Sequence, residues 1–145
     1  MVTNPPADSP RIAPYLYYEN VGAALEWLAN AFGFEERLKM ADDSGNVLHA
    51  EMALADGGIM LGHPGPDYRC PRKTGVRNCV VHVYVDDVDA HHERAKAAGA
   101  TITAEPADQF YGDRRYMAED LEGQVWNFSQ HVRDVSSDEM KPPEE

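Results

Sequence analysis

An internal repeat constrains this chain more than any other feature. The stretch YLYYENVGAALEWLANAFGF, residues 15–34, lies over VHVYVDDVDAHHERAKAAGA, residues 81–100. Identities are few, but the order of residue types is shared: a β-branched or aromatic run, an acid or amide, an amphipathic segment, and a glycine. Ala13 falls over Val80 at the first strand of each half and Met60 over Asn127 at the last, so the offset is 67 at both ends (80 − 13 and 127 − 60). Equal offsets at both ends argue for duplication of a whole structural unit. Within the first half, residues 12–18 (IAPYLYY) read as a strand. Asn20 then caps a helix whose apolar positions Val21, Ala24, Leu25, Leu28 and Phe32 have helical spacing, and Gly33 suits its end. Residues 34–40, 46–54 and 58–63 read as three more strands, parted by the turns DDSGN and ADGG. The second half follows with a strand at 79–85, a helix capped by Asp86 or Asp87 and ended by Gly99, and strands at 101–105, 114–119 and 124–132.

The expected fold class is therefore α+β, with two βαβββ modules. Residues 1–10 are expected to be a flexible lead-in. The 11–133 region is one domain: module 1 at about 11–63, a Pro- and Gly-rich connection at 64–78, and module 2 at about 79–133. Neither half is long enough to bury both faces of its sheet alone, so the halves are expected to pack together. In the tail, 134–145, Ser136 and Glu139 have the spacing of a capping box, which would suit a short helix.

Charge narrows the partners. With 13 Lys and Arg against 25 Asp and Glu, the net charge is −12. Such a surface repels phosphate backbones and anionic lipid, so neither nucleic acid nor a membrane is an expected partner. No apolar run approaches the roughly 20 residues that span a bilayer, and MVTNPPADSP lacks the apolar core of a secretory signal. A cytoplasmic location is expected, with Cys70 and Cys79 reduced and incidental.

The segments RIAPYLYYEN, ALEWLANAFGFEE, HAEMAL, VDDVDAHHERAKAAGA, YGDRRYMAEDLEGQVWNFSQHV and DVSSDEM, in this order, resemble the PhnB-like branch of the glyoxalase/bleomycin-resistance (vicinal oxygen chelate) superfamily over residues 11–140. The fold of that family hosts lyases, isomerases, ring-cleaving dioxygenases and drug-binding proteins. The resemblance implies that the two modules form curved mixed sheets around a cavity, where the family's enzymes hold a divalent metal through one residue from the first and one from the last strand of each half. The resemblance maps those four positions onto Ala13, Met60, Val80 and Asn127. Alanine and valine offer no ligand atom, methionine is a soft donor, and a lone asparagine is a feeble one. No metal and no other cofactor is therefore expected. The resemblance also implies a homodimer, with its cavities near or across the subunit interface and the modules sometimes exchanged between chains.

Alternation along the strands selects the residues that would share a cavity with those positions. On the first strand they are Tyr15 and Tyr17, with Ile12, Leu16 and Tyr18 under the helix; on the fifth they are His82 and Tyr84. The third strand has an apolar face of Leu48, Ala50, Met52 and Leu54, with His49 and Glu51 pointing the other way. On the last strand Val125 and Asn127 face the cavity while Trp126 and Phe128 face the core, and Arg114 and Tyr116 join the lining from the strand before. The candidate ligand-binding set is thus Tyr15, Tyr17, His49, Glu51, Met60, His82, Tyr84, Arg114, Tyr116 and Asn127. It combines flat aromatic faces, a thioether and a few polar groups, which suits a flat or amphipathic organic ligand such as an antibiotic held by sequestration, or a metabolite. The alternative is a glyoxalase-like lyase or isomerase, or a dioxygenase-type enzyme, that uses a displaced metal or acid/base site at His49, Glu51 and His82. His49 with Glu51 also reads as a simple structural pair, and Arg114 and Arg115 as either anion contacts or cross-strand ion pairs. His91 and His92 are neighbours on a helix, about 100° apart, and are read as packing or surface residues.

Overall fold

Asn20 opens the first helix where the spacing requires. In the computed structural model, which describes residues 1–145, its side chain accepts the Ala23 N–H at 3.0 Å. The helix α1 (Val21–Phe32) buries Val21, Ala24, Leu25, Leu28, Ala31 and Phe32, and it ends at Gly33 with φ of 80°, a left-handed conformation that glycine adopts without penalty. The chain forms two compact units, Met1–Gly75 and Val76–Glu145, and the boundary falls inside the Pro- and Gly-rich connection.

In the first unit β1 (Tyr15–Tyr17), β2 (Glu35–Ala41), β3 (Val47–Leu54) and β4 (Gly57–Gly62) form one sheet in the order β1-β4-β3-β2. A short helix α2 (Pro71–Thr74) follows in the connection. The second unit carries β5 (Val80–Tyr84), α3 (Val88–Ala97), β6 (Thr101–Asp108), β7 (Asp113–Glu119) and β8 (Val125–His131), with strand order β5-β8-β7-β6. The first strand of each unit pairs parallel with the last, and the other pairs are antiparallel. This is the βαβββ order expected, made twice. Tyr15 lies opposite Met60 and His82 opposite Asn127, so both strands obey the offset of 67 (82 − 15 and 127 − 60). The helices do not: the caps Asn20 and Asp87 are 67 apart, but Gly33 and Gly99 are 66 apart. The second helix is one residue tighter, and the two overlaid segments therefore align at their helix ends and slip by one at their strands.

Core composition differs between the units. Under α1 lie Leu16, Tyr18, Ala50, Met52, Ile59 and Leu61. The helix α3, capped by the Asp87 side chain on the Ala90 N–H at 3.0 Å, buries only Val88, His92 and Ala95. Its sheet compensates with aromatic mass. Trp126 and Phe128 stack at 6.0 Å and 4°, and Tyr116 stacks on Phe128 at 5.3 Å. The buried Asp120 carboxylate accepts the Trp126 Nε1–H at 3.1 Å and the backbone N–H groups of Glu122 and Gln124, each at 3.0 Å, so a charge under cover has its partners.

Three expectations are corrected here. The first strand begins at Tyr15 rather than Ile12: Pro14 has no N–H to donate, its carbonyl takes the Met60 N–H at 2.9 Å, and Ile12 is 87% exposed instead of lying under the helix. The third strand needs no correction: Ala50 and Met52 pack into the core under α1, and His49 and Glu51 point the other way, onto the face shared with Tyr15 and Tyr17. Tyr116 is fully buried on the helix side of its sheet, where its hydroxyl meets the His91 ring, and burial pushes its phenol well above the usual value. Arg114, two residues away and on that same side, is held by Asp89 of α3 at 3.1 Å and by Asp108 at 3.2 Å. Neither Tyr116 nor Arg114 belongs to the open sheet face. At the C-terminal end Ser136 makes a single turn, its carbonyl accepting the Glu139 and Met140 N–H groups.

The connection up to Gly75 is tied to the first unit. Glu19 accepts the Cys70 N–H at 2.9 Å and the Lys73 ammonium at 2.7 Å. Its contact with the Cys70 side chain, and then with Lys73, holds its carboxyl down to about 2. The Tyr68 hydroxyl donates to the Tyr17 carbonyl at 3.0 Å, and His63 Nδ1 contacts the Tyr18 carbonyl at 3.1 Å.

Candidate functional site: two open sheet faces

Each sheet is covered by its helix on one side. The opposite side carries large rings that are about half exposed.

In the first unit, alternation places Tyr15, Tyr17, His49, Glu51, Met60 and Gly62 on this open face, with Met60 in register between Tyr15 and Glu51. Tyr15 and Tyr17 are each 49% exposed and meet edge to face at 6.0 Å. The Tyr15 hydroxyl bonds His49 Nδ1 at 2.9 Å, and His49 Nε2 meets the Glu51 carboxylate at 3.3 Å. With Nε2–H given to the carboxylate, Nδ1 is left to accept the Tyr15 proton. Gly62 makes this reach feasible. A Cβ there would lie 2.7 Å from the Tyr15 Cε1 and collide with its hydroxyl, so only a bare backbone lets the ring lie across toward His49.

In the second unit the equivalent ring pair is His82 and Tyr84, edge to face at 4.7 Å. Tyr84 is 59% exposed, yet its hydroxyl donates to Asp113 at 2.9 Å. Asp113 is itself buried and is also reached by His131 Nδ1 at 2.9 Å, while His131 Nε2 meets Asp134 at 2.7 Å. The Asp113 hydrogen bond, with burial, pushes the Tyr84 phenol above its ordinary value, because the carboxylate favours the protonated form. Asp134 and then Asp113 raise His131 above its ordinary 6.5, since both stabilise the imidazolium. Beside this relay, in register with Tyr84, lie Ser129 and Arg115, and Asn127 is in register with His82. Arg115 Nε, Asn127 Oδ1 and the fully buried Ser129 Oγ are shielded from solvent and have no hydrogen-bond partner.

Of the residues expected from sequence, eight lie on these open faces: Tyr15, Tyr17, His49, Glu51 and Met60 in the first unit, and His82, Tyr84 and Asn127 in the second. Arg115, Asp113, Ser129 and His131 complete the second face and were not in the candidate set. Alternation onward from Asn127 leads to Ser129 and His131, so that signal was present. Nothing in the sequence marks Asp113.

The residues at the four positions onto which the resemblance maps the family's metal ligands do not fit a metal. Ala13 and Val80 present hydrocarbon, Met60 a thioether and Asn127 an amide, so no carboxylate, imidazole or thiolate stands at any of the four.

This frame and sequence define the family. The chain belongs to the glyoxalase/bleomycin resistance protein/dioxygenase superfamily, whose family model matches residues 10–128. It is 31% identical to TioX from Micromonospora sp. ML1, covering 86% of this chain and 100% of that one, with a TM-score of 0.70. An uncharacterized protein of Mycobacterium bovis is 30% identical over 137 residues, 91% of this chain and 90% of its own length. The fosfomycin resistance protein FosX from Listeria monocytogenes shares the fold, with a TM-score of 0.62 at 16% identity over 92% of this chain and 98% of that one.

Proposed function

We propose that this protein binds a flat or amphipathic organic ligand, an antibiotic or a metabolite, on its aromatic sheet faces without the aid of a metal. The observation that carries the reading is the coincidence of two features: non-coordinating side chains at Ala13, Met60, Val80 and Asn127, and solvent-facing rings beside hydrogen-bonding groups on both sheets. Rings of this kind stack on planar ligands, and a few fixed polar groups orient them. In this reading the protein acts by sequestration, as a homodimer in the cytoplasm. Exposed Tyr15, Leu38, Met40, Val80 and Tyr84 support a partner or ligand that covers them. No helix is long and apolar enough to cross a membrane.

Metal analysis of protein purified without chelator, followed by titration with Mn, Ni and Zn, tests the first half of the proposal. The expected result is no stoichiometric metal, and a tightly held ion overturns it. Intrinsic fluorescence titrated with a panel of aromatic antibiotics tests the second half. Saturable quenching by at least one supports it, and silence across the panel counts against it.

The hydrogen-bonded series Tyr15–His49–Glu51 favours one second reading, a lyase or isomerase of acid/base type. Turnover of a carbonyl substrate that E51Q abolishes would establish that reading over sequestration.

A further inference from the structure

The second sheet face holds polar groups that the fold leaves without partners, and their pattern describes a ligand. Arg115 and Ser129 are directly paired across β7 and β8, and Asn127 is two residues from Ser129 on the same side. Paired side chains on one face have Cβ atoms roughly 4.5–5.5 Å apart, so one small functional group can meet both. Arg115 Nε and Ser129 Oγ both have a proton to donate, and neither finds an acceptor in the protein. Asn127 Oδ1 is an acceptor without a donor. A buried polar atom that stays unpaired costs of order 1–3 kcal/mol, so three on one face point to something that pairs with them on binding. The neighbouring residue sharpens the contrast: Arg114, facing the helix, has its charge met by Asp89 and Asp108. His82 and Tyr84 supply the rings beside this polar group.

We infer that the second sheet face recognises an aromatic carboxylate. Arg115 Nε, Ser129 Oγ and Asn127 Oδ1 have no accessible surface, so binding requires the part-exposed Arg115, His82 and Tyr84 side chains to rearrange. The carboxylate oxygens then accept from Arg115 Nε–H and the Ser129 hydroxyl, the ring packs against His82 and Tyr84, and a hydroxyl or amine on that ring donates to Asn127 Oδ1. This rests on the reading of the face as a ligand site and adds the chemical class of the ligand. A guanidinium favours a planar two-oxygen anion over a neutral isostere, and in a protein of net charge −12 it gives an anionic ligand a local attraction against the net repulsion of the chain.

The test is calorimetric titration of the full-length protein with 2-naphthoate, 3-hydroxy-2-naphthoate and the neutral 2-naphthamide. Naphthoate is expected to bind at least tenfold tighter than the amide, and the hydroxyl to add a further few-fold. R115M should erase the acid-over-amide preference while leaving weak ring binding, and N127L should erase only the gain from the hydroxyl. The wild-type comparison needs no variant, so a folding defect in R115M leaves the test intact. Equal binding of acid and amide to the wild type overturns the inference, as does binding of neither. In both cases the broader proposal is judged separately, by fluorescence quenching with uncharged aromatic antibiotics.

Discussion

The open face of the first unit and that of the second share a frame and differ in how their polar groups are used. Tyr15 and Tyr17 occupy the places of His82 and Tyr84, and Met60 that of Asn127, each 67 residues on. In register with Tyr17 lie Gly62 and His49; in register with Tyr84 lie Ser129 and Arg115. The glycine lets Tyr15 cross to His49, and the first face closes its hydrogen bonds on itself through Glu51. With Ser129 in that place, His82 packs against Tyr84 instead, and Arg115, Ser129 and Asn127 keep unpaired atoms. Duplication thus conserves positions, while the glycine at 62 clears the path for the Tyr15–His49 bond and the serine at 129 stands where the second face has no such crossing. The cores differ in parallel: aliphatic residues with Tyr18 on the sheet under α1, stacked aromatic rings on the sheet under α3.

The largest effect expected from breaking this comparison is in the cores. Trp126→Ala removes the ring that stacks on Phe128 and bonds Asp120, and should cost about 3–5 kcal/mol in denaturant unfolding. At the matching place in the first unit, Ile59→Val should cost only about 0.5–1.5 kcal/mol. A Trp126→Ala loss no larger than that would mean the aromatic stack does not carry the second unit.

Next is Tyr84→Ala. Its ring is largely exposed, so stability should fall little, while affinity for a quenching aromatic ligand should fall about tenfold, near the upper end of what one ring contact supplies. Unchanged affinity would remove Tyr84 from the site.

A smaller effect separates Gly62 from Ser129. Gly62→Ala forces Tyr15 off its path and should cost about 1 kcal/mol, the worth of one hydrogen bond, with loss of the Tyr15–His49 coupling seen in the imidazole NMR signals. Ser129→Ala should be neutral or slightly stabilising, because its hydroxyl is buried and unpaired. A destabilising Ser129→Ala would show that the protein already pairs that hydroxyl.

The smallest is a pH effect confined to the second face. His131 has a raised folded-state value, so its contribution to stability is fully present below 6.5 and disappears as pH rises through the raised value. Titration by NMR should place its midpoint above 6.5, and Asp134→Asn, which removes the larger cause, should bring it down. A midpoint unmoved by that substitution would assign the shift to Asp113 alone.

How much of the site was legible depended on phase rather than on periodicity. Along β5 and β8 the alternation of Val80, His82 and Tyr84, and of Trp126 and Phe128 against Asn127, was readable because polar and apolar residues trade places regularly. Along β7, Arg114, Arg115 and Tyr116 offer no such contrast, and an error of one residue turns every side chain to the other face. That is why Arg114 and Tyr116 were expected on the face that Arg115 occupies. The third strand was readable for the opposite reason: the polar His49 and Glu51 alternate with Ala50 and Met52, and α1 claims the apolar pair.

By itself the sequence determined the duplicated βαβββ order, the helix caps at Asn20 and Asp87 and the offset of 67. These follow from local hydrogen bonding and from residue identity, which need no knowledge of distant neighbours. Only the tertiary structure decided that Arg115 rather than Arg114 faces outward, that Gly62 clears a path for Tyr15, and that Asp113 joins Tyr84 to His131. Each of these depends on cross-strand register, which long-range pairing sets and no short stretch of sequence encodes.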